Sequence, residues 1–154
     1  MTKQLIRTIN QIVKFGLEQN IEISKDERNL VLEKSLISIY SLYFEIQYEY
    51  DNTHFEEYDD IKYVNIRKNI ESNFPDFGYY TIALDLMDIN NKDNMAIGDA
   101  IDDLSDIILD LLEIKWRMEN NSVEDGLWYF NFSFENHIQQ HILDLLNYVK
   151  NRTE

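Results

Sequence analysis

His137 and His141 stand four residues apart, and six carboxylates, Asp99, Asp102, Asp103, Asp106, Asp110 and Glu113, recur ahead of them. On a helix, i,i+4 spacing puts both imidazoles on one side, as a helical metal pair requires. The pair is not an H-E-x-x-H motif, because Ile138 stands where that motif needs Glu. Asp103, Asp106, His137 and His141 are the candidate metal ligands. Against this stands a structural reading, in which two histidines on an apolar seam are buried and hydrogen-bonded.

The carboxylates have their own alternatives. Asp99–Asp103, Asp102–Asp106 and Asp106–Asp110 are like-charge i,i+4 pairs, and Asp99–Asp102, Asp103–Asp106 and Asp110–Glu113 are i,i+3 pairs. Each costs about 0.2–0.5 kcal/mol on a helix, so the stripe costs about 1–3 kcal/mol at low salt. The first aspartates regain part of this at the helix N-terminus. A solvated face, a Mg²⁺ or Mn²⁺ site, and a docking face for a basic protein are the three readings.

These side chains need a helix to hold them. Over Ala96 to Met118, Ile97, Ile101, Leu104, Ile107, Ile108, Leu111 and Leu112 recur at helical spacing opposite the acidic arc. Asp93 or Asn94 is the expected cap. The last helix is expected over about 123–149, capped by Ser122 with Asp125, with Leu127, Phe130, Phe134, Ile138, Leu145 and Tyr148 on the face that carries the histidines. The short turn at Asn120–Asn121 makes these two helices an antiparallel hairpin. That register brings His137 level with Leu104 and His141 level with Ala100, and predicts a His137–Asp103 hydrogen bond. Gly98 and Ala100 are small enough for close helix approach near His141.

Earlier in the chain, residues 3–18 read as a helix with Leu5, Ile9, Ile12, Val13 and Gly16 in its stripe. Ser24 and Glu27 form a capping box for a second helix, about 25–49, whose apolar residues cover most of its circumference and suit a central element. Residues 50–60 read as an acidic loop. A third helix, about 61–73, is capped by Asp59 or Asp60 and stopped by Phe74-Pro75. Tyr79 to Met87 reads as a short helix, although a buried extended segment has the same pattern.

Composition narrows the classes. Hydrophobic residues make up 44% of 154, enough for one domain (1–154) with a real core. Four Gly and one Pro favour long helices. Without Cys there is no disulfide framework, thiolate nucleophile or cysteine metal site, and no signal peptide or membrane-length run is evident. A reducing, cytoplasmic location is the expectation. The net charge is −15, and residues 85–125 hold 12 Asp and Glu against 3 Lys and Arg. Such a chain is repelled by nucleic acid and anionic membranes, which leaves a basic protein partner, a cation or plain solubility as the readings of its charge.

Two resemblances add to this. The run Asp102-Asp103-Leu104-Ser105-Asp106-Ile107, then Asp110-Leu111, Trp128, Phe132, Phe134, His137 and His141, resembles a bacterial domain-of-unknown-function family numbered five-zero-six-three. Tyr58-Asp59-Asp60 and Phe74-Pro75 fit more loosely, and Ile138 and Gln139 depart from an expected aromatic and Gly. The resemblance implies a small all-α bacterial protein and no assigned activity. Separately, Glu56-Glu57-x-x-Asp60 and Asp103-x-x-Asp106 look similar to the E-E-x-x-E/D and E-x-x-D motifs of all-α nucleoside triphosphate pyrophosphohydrolases, which implies Mg²⁺.

The sequence therefore predicts a single all-α bundle of about five helices with a C-terminal helical hairpin. Its leading function is a non-enzymatic interaction module without a cofactor, presenting Asp99, Asp102, Asp103, Asp106, Asp110 and Glu113 to a basic partner. The alternative is a Mg²⁺-dependent pyrophosphohydrolase, and a His/Asp metal site is the third possibility.

Overall fold

A computed structural model describes residues 1–59 and 63–152. The protein is predominantly helical. Helices α1 (Thr2–Leu17), α2 (Lys25–Glu45) and α3 (Ile66–Asn73) precede a hairpin of β1 (Tyr79–Ala83) and β2 (Met95–Asp99). Then follow α4 (Ala100–Asn120), α5 (Val123–Ser133), a π-helical turn (Phe134–Ile138) and α6 (Gln139–Asn151). Asp60 and Ile61, part of the expected third helix start, lie outside the described residues. Among the described residues, no helix is long and apolar enough to cross a membrane.

Among the described residues, one core cluster draws on every helix from α1 to α6. The α1 stripe is buried as its periodicity requires, Leu5, Ile9 and Ile12 completely. In α4, Leu104, Ile107, Ile108 and Leu111 are fully buried, and this helix packs on α1, α3, α5 and α6. It is the central element, as its dry stripe implies; the apolar circumference of α2 suggested a central place for that helix as well. There, Leu30, Ile37 and Phe44 are exposed, and only the Leu32, Leu36, Ile39 and Leu42 face is buried. An apolar circumference is thus not proof of contact on all sides. The α2 cap is as expected: Ser24 accepts from the Glu27 N–H at 3.2 Å.

The all-α expectation is corrected by the hairpin. Tyr79 pairs with Asp99 and Ala83 with Met95 in an antiparallel register. The run Tyr79-Tyr80-Thr81-Ile82 is aromatic and β-branched, which fits a pleated strand better than a helix. On the facing strand, Ile97 continues the helical stripe of α4 by coincidence of spacing, yet it is 78% exposed. The helix starts after Asp99, whose carboxylate accepts the Ile101 N–H at 3.0 Å and meets Arg67 at 2.6 Å. Asp99, not Asp93 or Asn94, is the cap.

Short α3 is anchored by side-chain amides. Asn69 donates to the Gly16 carbonyl at 2.6 Å, and Asn73 donates to the carbonyls of Phe15 and Glu18 at 2.8 and 2.7 Å. These satisfy carbonyls that the α1 C-terminus leaves open. At the far end, Gly126 lets α5 close on α4, since a Cβ there would lie 2.9 Å from the Met118 backbone nitrogen.

Candidate metal centre

Cross-contacts between α4 and the C-terminal segment run in opposite sequence order: Arg117 with Asp125, Glu113 with Tyr129, Asp110 with His137, Asp103 with His141. Near the turn the pairing follows the register expected from sequence. Beyond Phe134 it does not. The π-helical turn takes up extra residues relative to an α-helix, so the histidines arrive displaced along α4. This corrects the expected His137–Asp103 bond. His137 Nδ1 lies 2.8 Å from Asp110 Oδ2, and His141 Nδ1 lies 2.8 Å from Asp103 Oδ1.

An ionised carboxylate only accepts, so each Nδ1 carries the proton and each Nε2 is left with a lone pair. The two Nε2 atoms face one another at 3.2 Å. In neutral rings that is a repulsive contact. It is relieved by a shared proton or by a cation between the rings. Asp106 Oδ2 lies 3.5 Å from His141 Nε2, and ligand atoms of Asp106, His137 and His141 all fall within 4.8 Å of one another. With metal–ligand bonds of about 2.0–2.1 Å, the 3.2 and 3.5 Å separations correspond to angles of about 100° and 115° at a shared ion. Asp103 does not converge with these three. It orients His141, and its other oxygen accepts from the Tyr80 hydroxyl.

Burial and charge set the electrostatics. Asp103 is 7% exposed, while His137 lies open to solvent and His141 is partly covered. Burial raises the Asp106 carboxyl above its usual value, partly offset by the His141 charge. Burial likewise raises Asp110, against the bond from His137. The bond to Asp103 raises the His141 imidazole, against burial. Burial and the Asp103 bond raise the Tyr80 phenol. Three carboxylates thus face two imidazoles in a half-dry seam, an arrangement that favours uptake of positive charge.

The six acidic residues do not form an open stripe. Asp99 caps α4 and pairs with Arg67; Asp102, 65% exposed at its side chain, also meets Arg67 at 3.0 Å. Asp103, Asp106 and Asp110 surround the histidines. Glu113 pairs with Arg117 at 2.8 Å and accepts from Tyr129 at 2.9 Å. Glu56 and Glu57 are exposed in a segment without regular structure, and Asp60 lies outside the described residues.

Tyr80 is the residue that sequence reasoning missed. It reaches Asp103 because Gly98 faces it across the hairpin. A Cβ at Gly98 would lie 2.5 Å from the Tyr80 ring. The small residue noted near His141 therefore admits a tyrosine ring, not a helix. A Gly opposite an aromatic in a paired strand was the available signal, but it is visible only once the strands are recognised.

No protein-family model matches the chain, and no curated protein or solved structure matches it.

Proposed function

We propose that the protein binds a zinc-class divalent metal ion through His137 Nε2, His141 Nε2 and Asp106. The observation that supports this most is the pair of facing Nε2 atoms at 3.2 Å, with both opposite Nδ1 atoms engaged by carboxylates. Metal-bound histidines characteristically give their second ring N–H to a carboxylate, which fixes the tautomer and raises ligand basicity. Here Asp103 and Asp110 take that part, and Tyr80 holds Asp103. Two imidazoles and one carboxylate suit zinc, iron or nickel better than Mg²⁺, which prefers all-oxygen shells. In this reading α4 and the α5–α6 rod act as an antiparallel helical hairpin that grips the ion from both sides.

Three protein ligands leave a further position for water, the pattern of sites that do chemistry rather than closed structural ones. A bound ion there would supply Lewis acidity and lower the pKa of that water. The protein's own share is to hold the ligand geometry and to surround it with carboxylates. The test is calorimetric titration of chelator-stripped protein with Zn²⁺ and, separately, Mg²⁺. The expected result is one Zn²⁺ per chain, lost in His137→Ala and in His141→Ala, with no Mg²⁺ heat. Equal Zn²⁺ binding in both variants would remove the reading.

A second reading, an interaction module for a basic partner, is supported by a different region. Leu84, Leu86, Met87, Ile89, Met95 and Ile97 are all more than half exposed on the hairpin, with Asp85, Asp88 and Asp93 beside them. Contiguous exposed apolar surface marks interaction sites, and its acidic surround suits a cationic partner. A peptide alternating Lys and Val should protect hairpin amides from exchange, less so in Met87→Ser/Ile89→Ser. Unchanged exchange with saturating peptide would count against it.

A further inference from the structure

At the far end of α6 the balance of charge reverses. Asp76 is met by three cations: Arg28 Nη2 at 2.7 Å, Arg152 Nη1 at 2.9 Å and Lys25 Nζ at 3.6 Å. This is a surplus of two positive charges in a chain of net charge −15. The three are not equivalent. Arg28 is buried, stacks on Phe74 with its guanidinium carbon 4.6 Å from the ring centre, and holds Oδ1. Lys25 and Arg152 both address Oδ2, but only Lys25 is exposed; the Arg152 guanidinium is largely covered and lies over the Phe77 ring at 5.1 Å. Lys25 can turn to an incoming anion while Arg28 and Arg152 keep Asp76 paired.

Beside them is a hollow of about 580 Å³, lined by Lys25, Asp76, Arg152, Asn147, Asn151 and the β1 residues Tyr79–Thr81, with Tyr148 behind. That size is usual for a small-molecule site. Its walls are aromatic: the Tyr80 and Tyr148 ring centres are 5.2 Å apart, and Tyr79 is 75% exposed. The Tyr148 hydroxyl accepts from the Gly78 N–H at 2.9 Å, which fixes that wall in place. Asn147 and Asn151 add amide groups at the floor.

We propose that this hollow binds a small phosphate monoester carried on a planar ring, the chemistry shared by a mononucleotide and an aryl phosphate. A phosphate monoester carries about −1.5 to −2 charges at pH 7, matching the surplus of two, whereas a carboxylate carries one. The exposed Lys25 ammonium offers a charge-assisted contact to the phosphate oxygens, Arg152 adds positive charge beside it, and the tyrosines offer ring faces. The proposal shares one residue with the metal reading, Tyr80, whose ring lines the hollow while its hydroxyl holds Asp103. The hollow lies some 9–15 Å along α6 from His141, at about 1.5 Å per residue to Asn147 and Asn151.

The experiment is an amide chemical-shift titration of the full chain, stripped of metal, at constant ionic strength. The probes are AMP, phenyl phosphate, inorganic phosphate and benzyl alcohol. The expected result is saturable shifts in Tyr79–Thr81 and around Asn147 and Asn151 with AMP, phenyl phosphate or both, tighter than with inorganic phosphate, and none with benzyl alcohol. Which ester binds more tightly separates a nucleotide from an aryl phosphate. Lys25→Gln and Tyr79→Ala alter exposed side chains, and each should weaken binding about tenfold, as loss of a charge-assisted contact or a stacking wall does. His141→Gln should leave binding unchanged. No saturable shift with either ester would overturn the proposal, as would binding equal to inorganic phosphate that Tyr79→Ala leaves intact.

Discussion

The two ends of the α6 rod are built on opposite imbalances. Around its first turn, Asp103, Asp106 and Asp110 outnumber His137 and His141; beyond its last, Lys25, Arg28 and Arg152 outnumber Asp76. The pKa directions follow. Burial raises Asp106 and Asp110 at the seam, where carboxylates crowd. At Asp76 burial acts the same way, but the charges of Arg28 and Arg152 overcome it and hold the carboxyl below its usual value. Partial burial is common to both ends, so it is the neighbouring charge that decides the sign. Neither end is neutral by itself, and the ligand proposed for each carries the opposite charge.

The largest effect is expected where the seam is positioned. Phe134 begins the π-helical turn, is fully buried, and stacks on Tyr43 with ring centres 4.2 Å apart. Phe134→Ala should cost about 3–5 kcal/mol by chemical denaturation, and Leu104→Ala, also fully buried, about 2–5. A cost under about 1 kcal/mol for either would show that the rod is not packed as described.

Next come the groups that orient the histidines. Asp103→Asn should weaken Zn²⁺ binding about 10- to 100-fold, as loss of a carboxylate behind a metal-bound histidine does. Gly98→Ala should displace the Tyr80 ring, cost about 1–3 kcal/mol, and weaken Zn²⁺ in the same direction. Asp103→Asn should leave the phosphate titration at the other end in place, whereas Gly98→Ala should weaken it too, because the Tyr80 ring it displaces lines that hollow.

A pH series in metal-free protein separates the ends by sign. His141 is raised above 6.5, so its contribution is complete below that value and is lost as the pH rises through the folded pKa. The raised Asp106 and Asp110 act in the same sense at lower pH. Asp76 is lowered from 3.8, so its contribution is present above that value and is lost as the pH falls through the folded pKa. Melting temperature should therefore fall as the pH rises above about 6.5, less so in His141→Gln, and Asp76→Asn should flatten only the acid limb. Identical profiles for the wild type and both variants would mean that the two ends do not differ.

The smallest effect is expected at Arg67, which bridges Asp99, Asp102 and Glu71 from an exposed position. Arg67→Gln should cost about 0–1 kcal/mol, reduced in high salt. A larger loss would make the acidic start of α4 a structural anchor comparable with the seam.

These sites differed in how far the sequence disclosed them. The periodicity of Leu104, Ile107, Ile108 and Leu111 placed the dry face of α4 correctly, and the Ser24 and Ser122 caps placed two helix starts, because these signals are local. The histidine spacing and Asp106 were likewise visible. Their partners were not, since the register across the seam depends on a π-helical turn with no distinct residue signature. The hairpin was hidden because Ile97 is in phase with a helix it does not join. Lys25, Asp76 and Arg152 come together only through tertiary packing, so no spacing in the chain could have announced them.

The claim at the centre of this account is that both histidines are protonated at Nδ1 and offer Nε2 to one ion. Imidazole ¹⁵N shifts, recorded before and after one equivalent of Zn²⁺, test it directly. Nε2 of His137 and of His141 should both move to metal-bound values while both Nδ1 atoms remain protonated. Unchanged shifts, or binding through either Nδ1, would contradict it.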